Sequence, residues 1–269
     1  MSKDTVPVIA SNADKLKLQA DKVISTGIYL NETVVPAMAV IMAGYDIVLG
    51  TPKGTKPVLE PRSSQASHFG GSEQALQDAL TFFETFPAMQ APRSLRSLID
   101  EGLERFVGVF VPGGHAPVTD LIRDPDVGEI LHHFHKLSRP TALLCHGPIA
   151  VIAAVPAVAA FCAAMEADDI ERAKAAAKGW QYAGYKMTIF SNQEEQIVED
   201  QIFHGKLKFH VADALQAAGG ILTSNQRPFE PNVTQDRELI TGQNPQSDRG
   251  LSDAFVKALD RQTAKVGRA

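Results

Sequence analysis

Cysteine is scarce in this chain: only Cys145 and Cys162 occur among 269 residues. A secreted scaffold stapled by disulfides carries more thiols, so the expected compartment is reducing and the expected location cytoplasmic. The N-terminus lacks the apolar core of a signal peptide, because its hydrophobic patch within 6–10 is too short. Basic clusters are missing too. Lys15, Lys17 and Lys22 are interleaved with Asp14 and Asp21, the pattern of a solvated face, and the formal net charge is −5. Both features argue against a nucleic-acid partner, which needs a concentrated basic surface. The run 149–165 carries no charge, but it is dominated by alanine and interrupted by Pro156. It reads as a buried helix, a break and a second helix over 157–178, with no membrane span.

What is present is a large apolar complement, 44% of residues, arranged as strand-length runs alternating with helical patterns. That alternation predicts an α/β fold, a mostly parallel sheet with helices on both faces. The first strand and the loop after it are expected over 23–30, and further strands at 46–50, 106–111, 140–144 and 186–190, with shorter ones at 221–223 and 238–240. Helices are expected at 33–43, 72–83, 95–103, 126–137, 207–218 and 248–263. The whole chain, 1–269, reads as a single domain, with the irregular stretch 62–104 as an insertion over one edge.

In open parallel sheets ligands bind beyond the carboxyl ends of the strands. At 141–148 an apolar strand runs into Cys145, His146 and Gly147. A cysteine on such a turn, at the mouth of a helix, is expected to have its thiolate favoured by unpaired N–H groups and the helix dipole. The competing reading is a buried structural cysteine, and Cys162 is assigned to the core. Gly113 and Gly114, after the strand at 106–111, offer side-chain-free backbone whose N–H groups can hold an oxyanion, with the His146 N–H as a further donor. Glu32 follows the first expected strand and can act as an acid/base partner of the thiol, or simply offset a helix dipole. His146 can pair with Glu194 or Glu195 in a Cys-His-carboxylate set. His132, His133 and His135 fall on different helix faces, and His68, His204 and His210 lack ligand spacing, so no metal site is expected.

Four blocks in order, Val111-Pro112-Gly113-Gly114-His115-Ala116-Pro117-Val118-Thr119-Asp120-Leu121, Leu144-Cys145-His146-Gly147-Pro148, Phe190-Ser191-Asn192-Gln193-Glu194-Glu195 and Leu239-Ile240-Thr241-Gly242-Gln243-Asn244-Pro245, closely resemble the ThiJ/PfpI superfamily. With Tyr29-Leu30-Asn31-Glu32 they resemble its heat-shock chaperone branch, which includes glutathione-independent glyoxalases. The resemblance covers roughly 22–260, with 62–104 and 153–183 as less familiar insertions. It implies a flavodoxin-like three-layer sandwich and a homodimer. It implies Cys145 as nucleophile, Glu32 as its protonated partner, His146 as general base, Glu195 as third triad member, and Gly113, Gly114 and His115 at the oxyanion and substrate site. The activity implied is cofactor-free conversion of small reactive dicarbonyls, methylglyoxal to lactate. Two other expectations stand beside it, a stress chaperone and oxidation sensor acting on unfolded proteins, and an amide or peptide hydrolase. Two departures bear on transfer. Leu143 occupies the place of the first glycine of a hydrolase elbow, and the stretch after Cys145 is unusually rich in alanine.

Overall fold

The computed structural model describes residues 4–266. Its centre is a seven-stranded sheet made of β1 (Thr5–Ile9), β2 (Asp46–Thr51), β3 (Arg93–Ser94), β4 (Val109–Val111), β5 (Thr141–Leu144), β6 (Val233–Asp236) and β7 (Leu239–Gly242). The spatial order is β6-β7-β5-β4-β1-β2-β3. Neighbours run parallel, except that β6 and β7 form an antiparallel hairpin. Every residue of β4 and β5 is buried, as unbroken apolar strands inside a sheet covered on both faces must be.

Helix α1 (Leu30–Met42) packs along α4 (Asp248–Val266), and the Phe255 ring of α4 meets the Phe110 ring of β4 at 6.3 Å. Helix α2 (Pro125–Lys136) packs on the buried segment Gly147–Ala154. Asp124 starts α2 by accepting the N–H groups of Asp126 and Val127, with Pro125 at the first helical position. The result is a flavodoxin-like three-layer arrangement. Strands β2 and β3 lie on one side of β1, and β4, β5 and β7 on the other, so the switch point falls between β1 and β4. No helix among the described residues is long and apolar enough to cross a membrane.

Several expectations are corrected. The central strand β1 comes from the N-terminal patch, whose Val6-Pro7-Val8-Ile9 pairs residue for residue with Ile47-Val48-Leu49-Gly50. The expected first strand survives only as Val23–Ser25, hairpinned to Lys15–Lys17 outside the main sheet, because β1 already fills that place. The stretch 62–104 does more than decorate an edge: its Arg93–Ser94 is the edge strand β3. Lys186–Met187 pairs with Ile221–Leu222 in a separate two-stranded sheet, since the β6 hairpin occupies the flank of β7. The segment after Cys145 is a 3-10 helix of eight residues, not an α-helix. The expected helix over 157–178 is two, Val158–Glu166 and Ile170–Ala176, parted where Asp168 takes φ +55°.

Phe255 is fully buried against β4. Its truncation to alanine deletes a large core ring, and the expected loss of stability is about 3–5 kcal/mol in urea denaturation.

Candidate active site

Strands β4 and β5 pair in register, Val111 beside Leu143, so the residues that follow them emerge together at the carboxyl edge. After β5 the chain turns at Cys145, which takes φ +59°. A side-chain-bearing residue in this left-handed region costs on the order of 1–3 kcal/mol and persists only where its surroundings impose it. Here they do: the Cys145 N–H donates to Gly242 O of β7 at 2.8 Å, and its carbonyl accepts the Phe190 N–H at 3.0 Å. After β4, a Cβ added at Gly113 would stand 2.5 Å from Leu144 O and 2.4 Å from Glu32 Oε2. Only glycine lets the two exits and the carboxyl come this close.

Glu32 lies in the first turn of α1 and is fully buried. Its Oε2 accepts the Gly114 N–H at 3.0 Å, and the carboxyl hydrogen-bonds the Cys145 thiol. Its Oε1 is buried without a hydrogen-bond partner. Burial pushes the carboxyl up to about 8, against the opposing pull of the Cys145 and Gly114 hydrogen bonds. Burial, with Glu32 as neighbour, likewise pushes the Cys145 thiol well above its usual value. Both groups therefore hold their protons at neutral pH. The expected thiolate stabilised by a helix dipole is not what the site contains. The segment that follows is a short 3-10 helix, and desolvation beside an acidic group outweighs it.

The Cys145 Sγ is 3.3 Å from His146 Nδ1, and His146 Nε2 is 2.8 Å from Glu195 Oε2. Burial, then the neighbouring His115, lowers His146 to about 4, so its ring is neutral. Glu195 is fully buried too, and burial disfavours its charge, but the two imidazoles overcome this and hold it well below the ordinary carboxylate range. With Glu195 ionised, His146 Nε2 carries the donated proton and Nδ1 is left to accept from the thiol.

Of the two candidate carboxylates, Glu195 faces His146. Glu194 instead caps its own helix α3 (Asn192–Val198) through Ser191 and accepts from Gln243, Asn244 and the Phe229 N–H. The helical turn separates their directions. His115, expected among the oxyanion and substrate groups, places Nε2 2.7 Å from Glu195 Oε1, with its ring 3.8 Å from that of His146. Gly114 is likewise engaged: its N–H is directed at Glu32. His115, His146 and Glu195 have ligand-type atoms within 4.8 Å of one another and could share a cation. As they stand, each ring nitrogen engages its own Glu195 oxygen, the pattern of a proton relay.

Glu32, Gly114, His115, Cys145 and His146 floor a cavity of about 390 Å³. Its walls include Tyr29, Arg62, His68, Phe190, Phe203 and Phe229, none of which the sequence assigned a role at the site. Phe190 heads a quoted motif block, so its position was visible, whereas Arg62, His68, Phe203 and Phe229 sit in irregular segments that carry no periodic signal.

No family model matches the chain. Two curated bacterial relatives are each named protein/nucleic acid deglycase HchA. That of Pseudomonas aeruginosa (strain UCBPP-PA14) is 24% identical over 259 residues, covering 94% of this chain and 80% of the relative. That of Staphylococcus aureus (strain Newman) is 26% identical over 259 residues, covering 94% and 79%. Among solved structures, glyoxalase III from Candida albicans superposes with a TM-score of 0.73 at 18% identity, over 95% of this chain and 97% of that one. Fold and site together define the class as a flavodoxin-like α/β sandwich with a cysteine elbow at the carboxyl edge of its sheet. The chain shares its fold with glyoxalase III and is similar along nearly its whole length to the two HchA deglycases.

Folded Glu32 keeps its proton to about pH 8, whereas the unfolded chain releases it near the ordinary 4.5. The folded state thus binds more protons between these values, and this contribution to stability is lost as pH rises from about 4.5 to 8. Glu32→Gln has no such proton to lose. Its stability relative to wild type is expected to grow across that window by up to about 4 kcal/mol, read from urea unfolding at both ends.

Proposed function

We propose that the protein is a cofactor-independent cysteine enzyme that converts small 2-oxoaldehydes, methylglyoxal among them, with water into 2-hydroxy acids, a glyoxalase III-type reaction. The observation that carries this reading is a thiol held between a carboxyl that keeps its proton and a neutral imidazole backed by a carboxylate. Such a site can add a nucleophile to a carbonyl and then move protons between adjacent carbons.

In the proposed sequence, the Cys145 proton passes to His146 Nδ1 as Sγ bonds to the aldehyde carbon. Glu195 stabilises the imidazolium formed. Because the Gly114 N–H is directed at Glu32, the oxyanion takes its hydrogen bonds from the His146 N–H and the protonated Glu32. The hemithioacetal then loses its C1 proton and gains one at C2 through an enediol, so C1 is oxidised to a thioester while C2 is reduced to a carbinol. No external oxidant or reductant is needed. Water cleaves the thioester, releasing the hydroxy acid and restoring the thiol. Proton transfers by positioned groups of this kind contribute roughly a hundredfold to ten-thousandfold each. Deglycation of proteins or nucleic acids, the activity in the names of the two bacterial relatives, is a neighbouring reading for the same site. A homodimer accompanies the proposal.

Lactate formation from methylglyoxal without any added thiol is expected for wild type, with Cys145→Ala inactive and Glu32→Gln reduced at least about a hundredfold. Wild type that forms no lactate would refute the assignment. The rate also depends on two protonation states. kcat/KM is expected to fall below about pH 4, as His146 becomes charged, and above about pH 8, as Glu32 loses its proton. A profile still rising past pH 9 would show that a pre-formed thiolate, not this proton-holding pair, is the reactive state.

A further inference from the structure

The reacting groups fill only the floor of their cavity. At about 390 Å³ it falls in the size class that encloses drug-sized ligands, whereas methylglyoxal has a handful of non-hydrogen atoms. What surrounds the rest is divided by chemistry. Tyr29, Arg62 and His68 form a polar wall, and Phe190, Val198, Phe203 and Phe229 an apolar one. The polar wall offers little unspent charge, because the Arg62 guanidinium is paired with Glu60 at 2.7 Å and lies over the Phe203 ring at 5.3 Å.

The apolar wall leads outward from the nucleophile. The Phe190 ring is 4.6 Å from that of His146, and the Phe229 ring is 6.0 Å from Phe190 at an interplanar angle of 57°. At the rim, Ile202 and Phe229 remain 47% and 36% exposed, although both are large and apolar. Unusual backbone sets both there. Ile202 projects from the single π-helical turn Glu199–Phe203, a local distortion that recurs at functional sites. Phe229 takes φ +62°, held by its N–H bond to the buried Glu194 at 2.8 Å. Two strained or irregular segments therefore present apolar side chains to solvent at the mouth of the same cavity. They would gain from a ligand that covers them.

Resting on the glyoxalase-type reading above, we infer that this site is built for 2-oxoaldehydes bearing a planar apolar substituent, an aryl group, at the ketone carbon. With C1 bonded to Sγ, that substituent is directed along the Phe190 and Phe229 rings, where aromatic contacts are favourable.

Phenylglyoxal and methylglyoxal are the test pair. Wild type is expected to show kcat/KM at least about tenfold higher for phenylglyoxal, a difference of about 1.4 kcal/mol. Phe229→Ala is expected to lower that value about tenfold while reducing methylglyoxal turnover less than about threefold. Equal kcat/KM for the two aldehydes in wild type, or a loss in Phe229→Ala that is the same for both, overturns the inference. Calorimetry with the unreactive ketols 2-hydroxyacetophenone and hydroxyacetone supplies a readout that needs no turnover and spares arginine. Tighter binding of the aryl ketol while neither aldehyde is consumed would sink the catalytic reading and leave the aryl preference standing. Equal binding of the two ketols sinks the preference alone.

Discussion

An ionised carboxylate with no access to water must be held by donors, and in this protein Glu195 is held by two imidazoles, one on each oxygen. Charge buried without such partners would cost several kcal/mol. The arrangement fixes the tautomer of His146, and the tautomer decides that Nδ1 faces the Cys145 thiol as an acceptor. His115 is committed to the same carboxylate, and the Phe203 and Phe190 rings close against the imidazole pair. Because α3 brings Glu195 to this point from its first turn, the neighbouring Glu194 is turned away. It ties together the loops at 229 and 243–244 instead. Two adjacent carboxylates thus serve the reacting groups and the scaffold separately.

The other half of the site rests on proximity that only glycine permits. Glu32 and Cys145 arrive from α1 and the end of β5, and Gly113 passes between them with no side chain to keep them apart. Burial raises the proton affinity of both, and Glu32 raises that of Cys145 further, while the thiol's hydrogen bond offsets only part of the rise at the carboxyl. Resting neutrality follows mainly from burial, and under the proposed reaction activation requires a base within reach, the role given to His146.

How much of this was legible in the sequence differs by element. The parallel α/β class was readable from alternation, since Phe110 and Leu143 lie in unbroken apolar runs that suit only a doubly covered sheet. The turn at Cys145 was readable because a strand there ends on thiol, imidazole and glycine, and the order of motif blocks carried the resemblance to the superfamily. What failed had physical reasons. β1 was missed because Val6-Pro7-Val8-Ile9 is short and contains a proline, and its strand character comes from flanking partners on both sides. The thiol's proton affinity was misjudged because local reading counts the helix dipole but cannot count desolvation, which depends on chain brought from far away. The choice between Glu194 and Glu195 and the partner of His115 depend on the direction a side chain leaves its helix, and adjacent positions in a sequence do not record it. The residues around the mouth come from irregular segments, where neither the period of a helix nor that of a strand exists to be read.

Glu195 has one more consequence, for the way out. At rest Glu195 is ionised, while Glu32, Cys145 and His146 are neutral. An uncharged aldehyde enters without electrostatic penalty. Under the proposed reaction it departs as an anion, formed a few ångströms from a fixed like charge in a poorly screened interior. Repulsion then favours ejection, so accumulating hydroxy acid would compete weakly with incoming aldehyde.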